Sequence, residues 1–318
     1  MRNARAARLI LVTMMLTLPA PARGQARETA GVITEIKVAS GKAEVRSSGG
    51  AWRRALPLQA LRPGDEVRAS DGASLVVLLS GGRGTMRIEA ANSPFAVMAQ
   101  AADDSKLQKA ATLVGGSMKF LTTGPKETPK AVLATRSMAR PPEILTPRNG
   151  PVLPGPLVVE WLGNQLSRYT LRILGPTGVV LERKGVSGTR FEYPADAPAL
   201  DAGVPYRVQV TALNQAPREA GFEIADAARA RGVQAELKDL EAGLGTGATP
   251  TSIAVARAGY LAGAGLLHDA RLTVLAALAR DPDEPVLHTL LGNLYLQTGL
   301  REQAAESLDE ADFLLTRR

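Results

Sequence analysis

Two consecutive stretches decide the reading of the C-terminal third: TSIAVARAGYLAGAGLLHDARLTVLAALARDPDE over residues 251–284, and PVLHTLLGNLYLQTGLREQAAESLDEADFLLTRR over residues 285–318. They align without a gap at a period of 34 residues. Ala258 falls on Gly292, Leu261 on Tyr295, Gly265 on Gly299, Ala270 on Ala304, Val274 on Leu308 and Ala277 on Ala311. Small residues at the eighth and twentieth positions let two helices approach closely. The larger residue at the eleventh fills the space between them. Pro282 breaks the chain between the copies. Upstream, Ala225–Leu244 is rich in Ala, Glu, Leu and Arg and reads as a further helix, ended by Gly243 and Gly245.

This pattern resembles the tetratricopeptide repeat, more strongly in the second copy, where Leu291, Gly292, Tyr295, Gly299, Ala304, Leu308 and Ala311 fit. The first copy has Ala254 where a large residue is usual and Arg257 where Leu is usual. Arrays of this kind are stabilised by neighbours, so helix 225–244 is expected to cap the stack or to extend it through a partner. The resemblance implies a groove lined by the first helix of each repeat. Here that is Val255, Gly259 and Ala262 in the first copy and Thr289, Asn293, Leu296 and Gln297 in the second. Asn293 could hold a peptide backbone there. The competing reading is that the protein's own residues fill the groove.

Upstream of the helices the period changes from helical to alternating. Leu157–Trp161, the alternating Tyr169, Leu171 and Ile173, then Tyr206, Val208 and Val210, and finally Phe222 and Ile224 are strand patterns separated by turns. Residues 139–225 are therefore expected to form a β-sandwich. They resemble a fibronectin type III or immunoglobulin-like module, with Trp161 in the place of its buried Trp and Tyr206 in its corner strand. Trp161, Tyr169 and Tyr193 read as core residues in preference to a sugar-stacking platform.

From Val32 to Val97 the chain again reads as short strands and turns. Ala43–Arg46 alternates, Pro63-Gly64-Asp65 is a turn, and Leu75–Leu79 is an apolar run suited to a strand covered on both faces. A helical period begins only at Ala101–Ala111. Gly41–Val45, Trp52, Pro63, Gly64, Asp65, Asp71, Gly72 and Leu75–Leu79 together resemble the FecR-like periplasmic domain. Leu113-Val114-Gly115-Gly116-Ser117-Met118 resembles that family's second Gly-Ser strand, and Ala134-Thr135-Arg136-Ser137 stands where its final strand would be. The resemblance spans residues 27–138. It implies signalling or envelope-complex work, with an inner-membrane sensor as a candidate partner.

Residues 1–26 read as a cleaved secretory signal: Arg2, Arg5 and Arg8, then the apolar run Leu9–Leu18, then Gly24-Gln25-Ala26. FecR-type regulators carry a cytoplasmic segment and a membrane crossing at that place, so the implied role here is to present a signal to a sensor. Without a further apolar run, no transmembrane span is expected in the mature chain. The chain has no cysteine, which suits a bacterial periplasm and excludes thiolate chemistry. Its formal charge is +7, but the leader holds four arginines and no acid, which leaves +3. That is poor support for nucleic-acid binding. The front (27–138) is basic and the tail (226–318) acidic, which suits two partners or mutual docking and equally well ordinary scatter in small domains.

Chemistry is sparse. There are two histidines, His268 and His288, without carboxylates at ligand spacing. Both are expected in exposed turn or cap positions. No phosphate loop and no nucleophile elbow occurs, so no catalytic residue, metal or cofactor is expected. The fold class is multidomain β plus α: a FecR-like all-β domain, an immunoglobulin or fibronectin III-like sandwich, and tetratricopeptide-type hairpins at 251–284 and 285–318. The expected function is a non-catalytic periplasmic adaptor or signalling protein. The alternative is an envelope glycan or peptidoglycan binder acting through its β-domains.

Overall fold

The computed structural model describes residues 29–98, 105–123 and 141–317. The signal segment 1–26, the Gly124–Pro129 loop and Ala134–Ser137 lie outside the described residues.

The front of the chain forms two antiparallel four-stranded sheets. One has the order β4-β1-β6-β7, from β1 (Gly31–Val38), β4 (Ala60–Leu61), β6 (Ala73–Leu79) and β7 (Thr85–Ile88). The other has the order β3-β2-β5-β8, from β2 (Ala43–Arg46), β3 (Arg53–Arg54), β5 (Glu66–Ala69) and β8 (Phe95–Ala96). β2 and β5 alternate between buried and half-buried residues, so each has one wet face. β6 is buried at every position, which is why its Leu75–Leu79 stretch is a continuous apolar run. Gly41 and Gly72 hold two neighbouring turns at positive φ (82° and 81°). A Cβ at Gly41 would run into the Asp71 carbonyl, and one at Gly72 into Ser40, so only glycine lets these turns pack together. At the Pro63-Gly64-Asp65 turn the Asp65 carboxylate accepts the Arg62 N–H at 2.9 Å.

Six helices lie among the described residues: α1 (Ser105–Thr122), α2 (Ala227–Gly243), α3 (Pro250–Gly263), α4 (Leu267–Leu278), α5 (Pro285–Gln297) and α6 (Arg301–Thr316). The 34-residue period is visible in the backbone. Adding 34 to the first residue of α4 gives the first residue of α6. Gly265 and Gly299 both turn at positive φ (79° and 81°), and each is followed by the same bond, Leu266 N–H to Leu261 O and Leu300 N–H to Tyr295 O. A Cβ at Gly292 would sit 2.7 Å from Leu308 Cγ, so the small residue at the eighth position does admit α6 against α5.

One expectation is corrected. Leu113–Met118 is not a strand but the middle of α1. Ala110, Val114, Ser117, Met118 and Leu121 recur three or four residues apart and are buried on one side, against α2 and α3. The glycine pair 115–116 meets open space and does not break the helix.

Residues 143–224 form a second pair of sheets. β9 (Glu143–Thr146), β11 (Val158–Leu162) and β14 (Arg190–Glu192) are ordered β14-β11-β9. β10 (Gly150–Val152), β12 (Arg168–Gly175), β13 (Gly178–Ser187), β15 (Pro205–Ala212) and β16 (Arg218–Ile224) are ordered β10-β16-β15-β12-β13, with β10 parallel to β16. Their inner faces meet around Trp161 and Tyr169, whose rings pack edge-on at 5.2 Å. Tyr206 Oη accepts the Asp201 N–H at 2.8 Å.

The chain is therefore a β-plus-α protein with two apolar cores. One contains the inward residues of the front sheets together with α1 to α6, and the other belongs to the 143–224 sheets alone. Among the described residues no helix is long and apolar enough to cross a membrane.

Candidate functional site

The expected groove residues fall into two groups. On α3, Val255, Gly259 and Ala262 are buried because α1 lies across them. A Cβ at Gly259 would stand 2.5 Å from Ser117 Oγ and 2.9 Å from Leu121 Cγ. Ser117 Oγ donates to Ala256 O at 2.8 Å, which ties the two helices together. On α5 the equivalent positions are more open: Thr289, Asn293 and Leu296 are half-buried and Gln297 is exposed. Thr289 Oγ1 is turned onto its own helix, donating to Pro285 O at 2.9 Å. The Asn293 amide forms no hydrogen bond among the described residues. α1 thus covers this face in the first repeat, and in the second the face of α5 carries the unpaired Asn293 amide.

The front sheets reach the helices at the end of β1. Glu284, the N-cap of α5, is buried. Its Oε1 accepts Ile36 N–H at 3.0 Å and Val286 N–H at 3.2 Å, and Lys37 Nζ lies 3.2 Å from its Oε2. Burial pushes this carboxyl up to about 7, against the pull of Lys37 and the two N–H groups. Lys37 also donates to Asp281 at 2.5 Å, and Thr249 Oγ1 donates to Glu35 at 2.5 Å. Lys37 of the front thus pairs with Asp281 and Glu284 of the tail.

The 143–224 sheets reach the helices through α4. His268 is not in an exposed turn, as expected from sequence. It lies inside α4 and is buried, with Nδ1 2.5 Å from Thr146 Oγ1. Burial, and then the neighbouring Arg271, lowers its pKa to about 4, so it is neutral. The adjacent Asp269 accepts Leu153 N–H at 3.1 Å, and burial pushes it up to about 6. Arg271 pairs with Glu160 at 2.8 Å and reaches the Tyr295 hydroxyl at 3.3 Å. Arg148 and Asn149 both donate to Thr298 O, at 2.9 and 3.3 Å. This seam therefore touches both repeats. Sequence reasoning missed it, although a signal was present. The second copy carries Glu302, Gln303 and Ala305 where the first carries His268, Asp269 and Arg271. Those departures are the residues turned toward the sheets. His288 lies in α5, with Nε2 2.7 Å from Pro282 O.

Trp161 and Tyr169 are buried and cannot stack on a sugar, and Tyr193 donates to Pro198 O at 2.6 Å. Among the described residues no group of three His, Asp or Glu is placed to hold a metal ion.

No family model matches the chain, and no curated protein matches it. Solved structures that resemble it include an engineered protein at 15% identity, covering 28% of this chain and 21% of that one, with a TM-score of 0.22. Sidekick-1 immunoglobulin domains 1–4 match at 12% identity over 62% of this chain and 47% of theirs, with a TM-score of 0.20. A β-1,2-glucanase from Parabacteroides distasonis matches at 9% identity over 93% and 50%, with a TM-score of 0.24. The chain spans half or less of the length of each. Similarities at these scores carry no conclusion about fold or activity.

Proposed function

We propose that this chain is a non-catalytic adaptor of the bacterial envelope, exported by its leader, which presents the face of its second repeat to a protein partner. The observation that carries the reading is the contrast between α3 and α5. The first repeat's inner face is covered by α1, while on α5 Asn293 has an unpaired amide beside exposed Gln297. A peptide backbone laid along α5 would find a donor and an acceptor at Asn293. The partner class that suits a periplasmic location is a membrane-anchored sensor or another envelope protein.

The finer fold assignment belongs to the same proposal. The front sheets are read as FecR-like, supported by the fitted glycine turns at Gly41 and Gly72. The 143–224 sheets are read as fibronectin or immunoglobulin-like, supported by the three-on-five strand order, the parallel β10–β16 pair and the Tyr206 corner bond. The hairpins α3–α4 and α5–α6 are read as tetratricopeptide repeats, supported by the repeated glycine turn.

A photo-crosslinking residue at Gln297 tests the reading in cells producing the full chain. The expected result is one protein adduct, at least tenfold weaker with Asn293→Ala and with the melting temperature unchanged. An adduct indifferent to Asn293→Ala would reject α5 as the interface. Recovery of glycan without any protein adduct would favour a glycan binder instead.

A further inference from the structure

One end of the 143–224 sheets carries leucines that nothing covers. Leu166 is 92% exposed, Leu213 85% and Leu162 40%. They sit together: Tyr169 pairs with Ala212 across β12 and β15, which sets Arg168 beside Leu213 and Leu166 just beyond. The loops that carry them are fixed. Asn164 Oδ1 accepts Leu166 N–H at 2.9 Å, Tyr169 Oη donates to Asn164 O at 2.8 Å, and Gln215 N–H donates to Ala212 O at 3.1 Å. Leu166 and Leu213 are the two most exposed large apolar side chains among the described residues.

The charge at this end is equally one-sided. Segments 162–168, 183–190 and 211–218 hold Arg168, Arg183, Lys184, Arg190 and Arg218 and no Asp or Glu. Arg190 and Lys184 are neutralised by Glu160, Glu192 and Glu182. Glu143, opposite Leu162, is taken up by Arg148 at 3.3 Å. Arg168 bonds only to the neutral Ser187 hydroxyl and Gly185 carbonyl, and Arg218 has no ion-pair partner among the described residues. The opposite end is the reverse: segments 153–157, 175–178 and 193–204 hold Asp196 and Asp201 and no Lys or Arg.

We propose that the leucine-tipped end docks on an anionic lipid surface, with Leu166 and Leu213 entering the headgroup boundary and Arg168 and Arg218 meeting the lipid phosphates. A protein interface would ask for a broad, shape-matched face, usually with aromatic anchors. Two neighbouring leucine tips flanked by arginines without acidic partners suit a soft, negatively charged surface better. The opposite, acidic end would be turned away from it. The proposal is independent of the α5 reading, because it uses different residues.

The test is sedimentation with vesicles of equimolar phosphatidylglycerol and phosphatidylcholine, against vesicles of phosphatidylcholine alone. It uses the full chain and a chain starting at residue 27, which lacks the apolar basic leader and keeps every described residue. The shorter chain is expected to bind the mixed vesicles at low salt and the neutral ones at least tenfold more weakly. Arg168→Gln with Arg218→Gln should lower binding roughly thirtyfold, and Leu166→Ser with Leu213→Ser about tenfold. All four side chains are exposed or have only neutral bonds, so near-ultraviolet circular dichroism should not change. Leu166→Trp should in addition become quenched by brominated acyl chains. Equal binding to both vesicle types, or full binding by the leucine variant, would overturn the proposal. So would a crosslinker at Leu166 that captures a protein while vesicles are ignored.

Discussion

The front sheets meet the helices through β1, where Val32, Ile33 and Ile36 lie in one apolar cluster with Val255, Val286 and Leu290. The 143–224 sheets keep a separate cluster around Trp161, and meet α4 at His268, Asp269 and Arg271 and the end of α5 through Arg148 and Asn149. Both seams hold buried charge. At the first the buried apolar core runs straight across, whereas at the second only the half-buried Leu145 and Leu153 pack against that core. The first should therefore melt as one cooperative unit with the helices, and the second should behave as docking. Each body holds one tryptophan, Trp52 in front and Trp161 behind, so single-tryptophan variants report on them separately.

The largest expected effect comes from Leu290→Ala. Leu290 is fully buried in the shared core, and its loss should cost about 2–5 kcal/mol. The helical circular dichroism and the Trp52 signal should shift together, while the Trp161 signal keeps its midpoint. A Trp52 signal that stays put while the helices melt early would break the comparison.

The next effect is pH dependence, which has one sign at the first seam and two opposed contributions at the second. Glu284 binds its proton more tightly folded, at about 7, than in an unfolded chain, at 4.5. Its contribution is complete below pH 4.5 and is lost as the pH rises through 7. It amounts to roughly 3 kcal/mol. Glu284→Gln should flatten that slope. His268 has the opposite sign: neutral down to about 4, it stabilises above pH 6.5 and loses that contribution as the pH falls toward 4. Asp269, raised to about 6, offsets it over much of the same range. His268→Asn removes the offset. Melting temperature in that variant should rise between pH 6 and pH 4, and a profile parallel to the parent's would reject the buried neutral imidazole.

The smallest effect sharpens the first seam. Gly259→Ala must push Ser117 and Leu121 aside and should cost about 1–3 kcal/mol. Gly263→Ala meets nothing closer than 3.9 Å and should stabilise α3 by about 0.5–1 kcal/mol. Equal melting temperatures for the two variants would mean that α1 is not seated on α3.

What could be read in the sequence was local. The repeat was legible because Gly265 and Gly299 mark the same turn in each copy, and β6 because Leu75–Leu79, buried on both faces, is apolar at every position. α1 was not legible as far as Thr122. Gly115 and Gly116 resemble a strand turn, and the face that makes the helix worthwhile belongs to α3, more than a hundred residues away. His268 was misplaced for the same reason. Its burial is supplied by Thr146 from a different sheet. Thr289, Asn293, Leu296 and Gln297 all lie on α5, but that α1 covers the matching face of α3 could not be read from either segment alone.

The joint membership of the front sheets and α2–α6 in one core has a consequence for the order of synthesis. The 143–224 sheets are an insertion within a body whose two halves are translated far apart. Their ends emerge close together, since Ala225 N–H bonds to Val152 O beside β9. On the ribosome the insertion can fold as soon as it appears. β1, made earlier, keeps part of its apolar face uncovered until α5 exists, so the first strand is finished almost last.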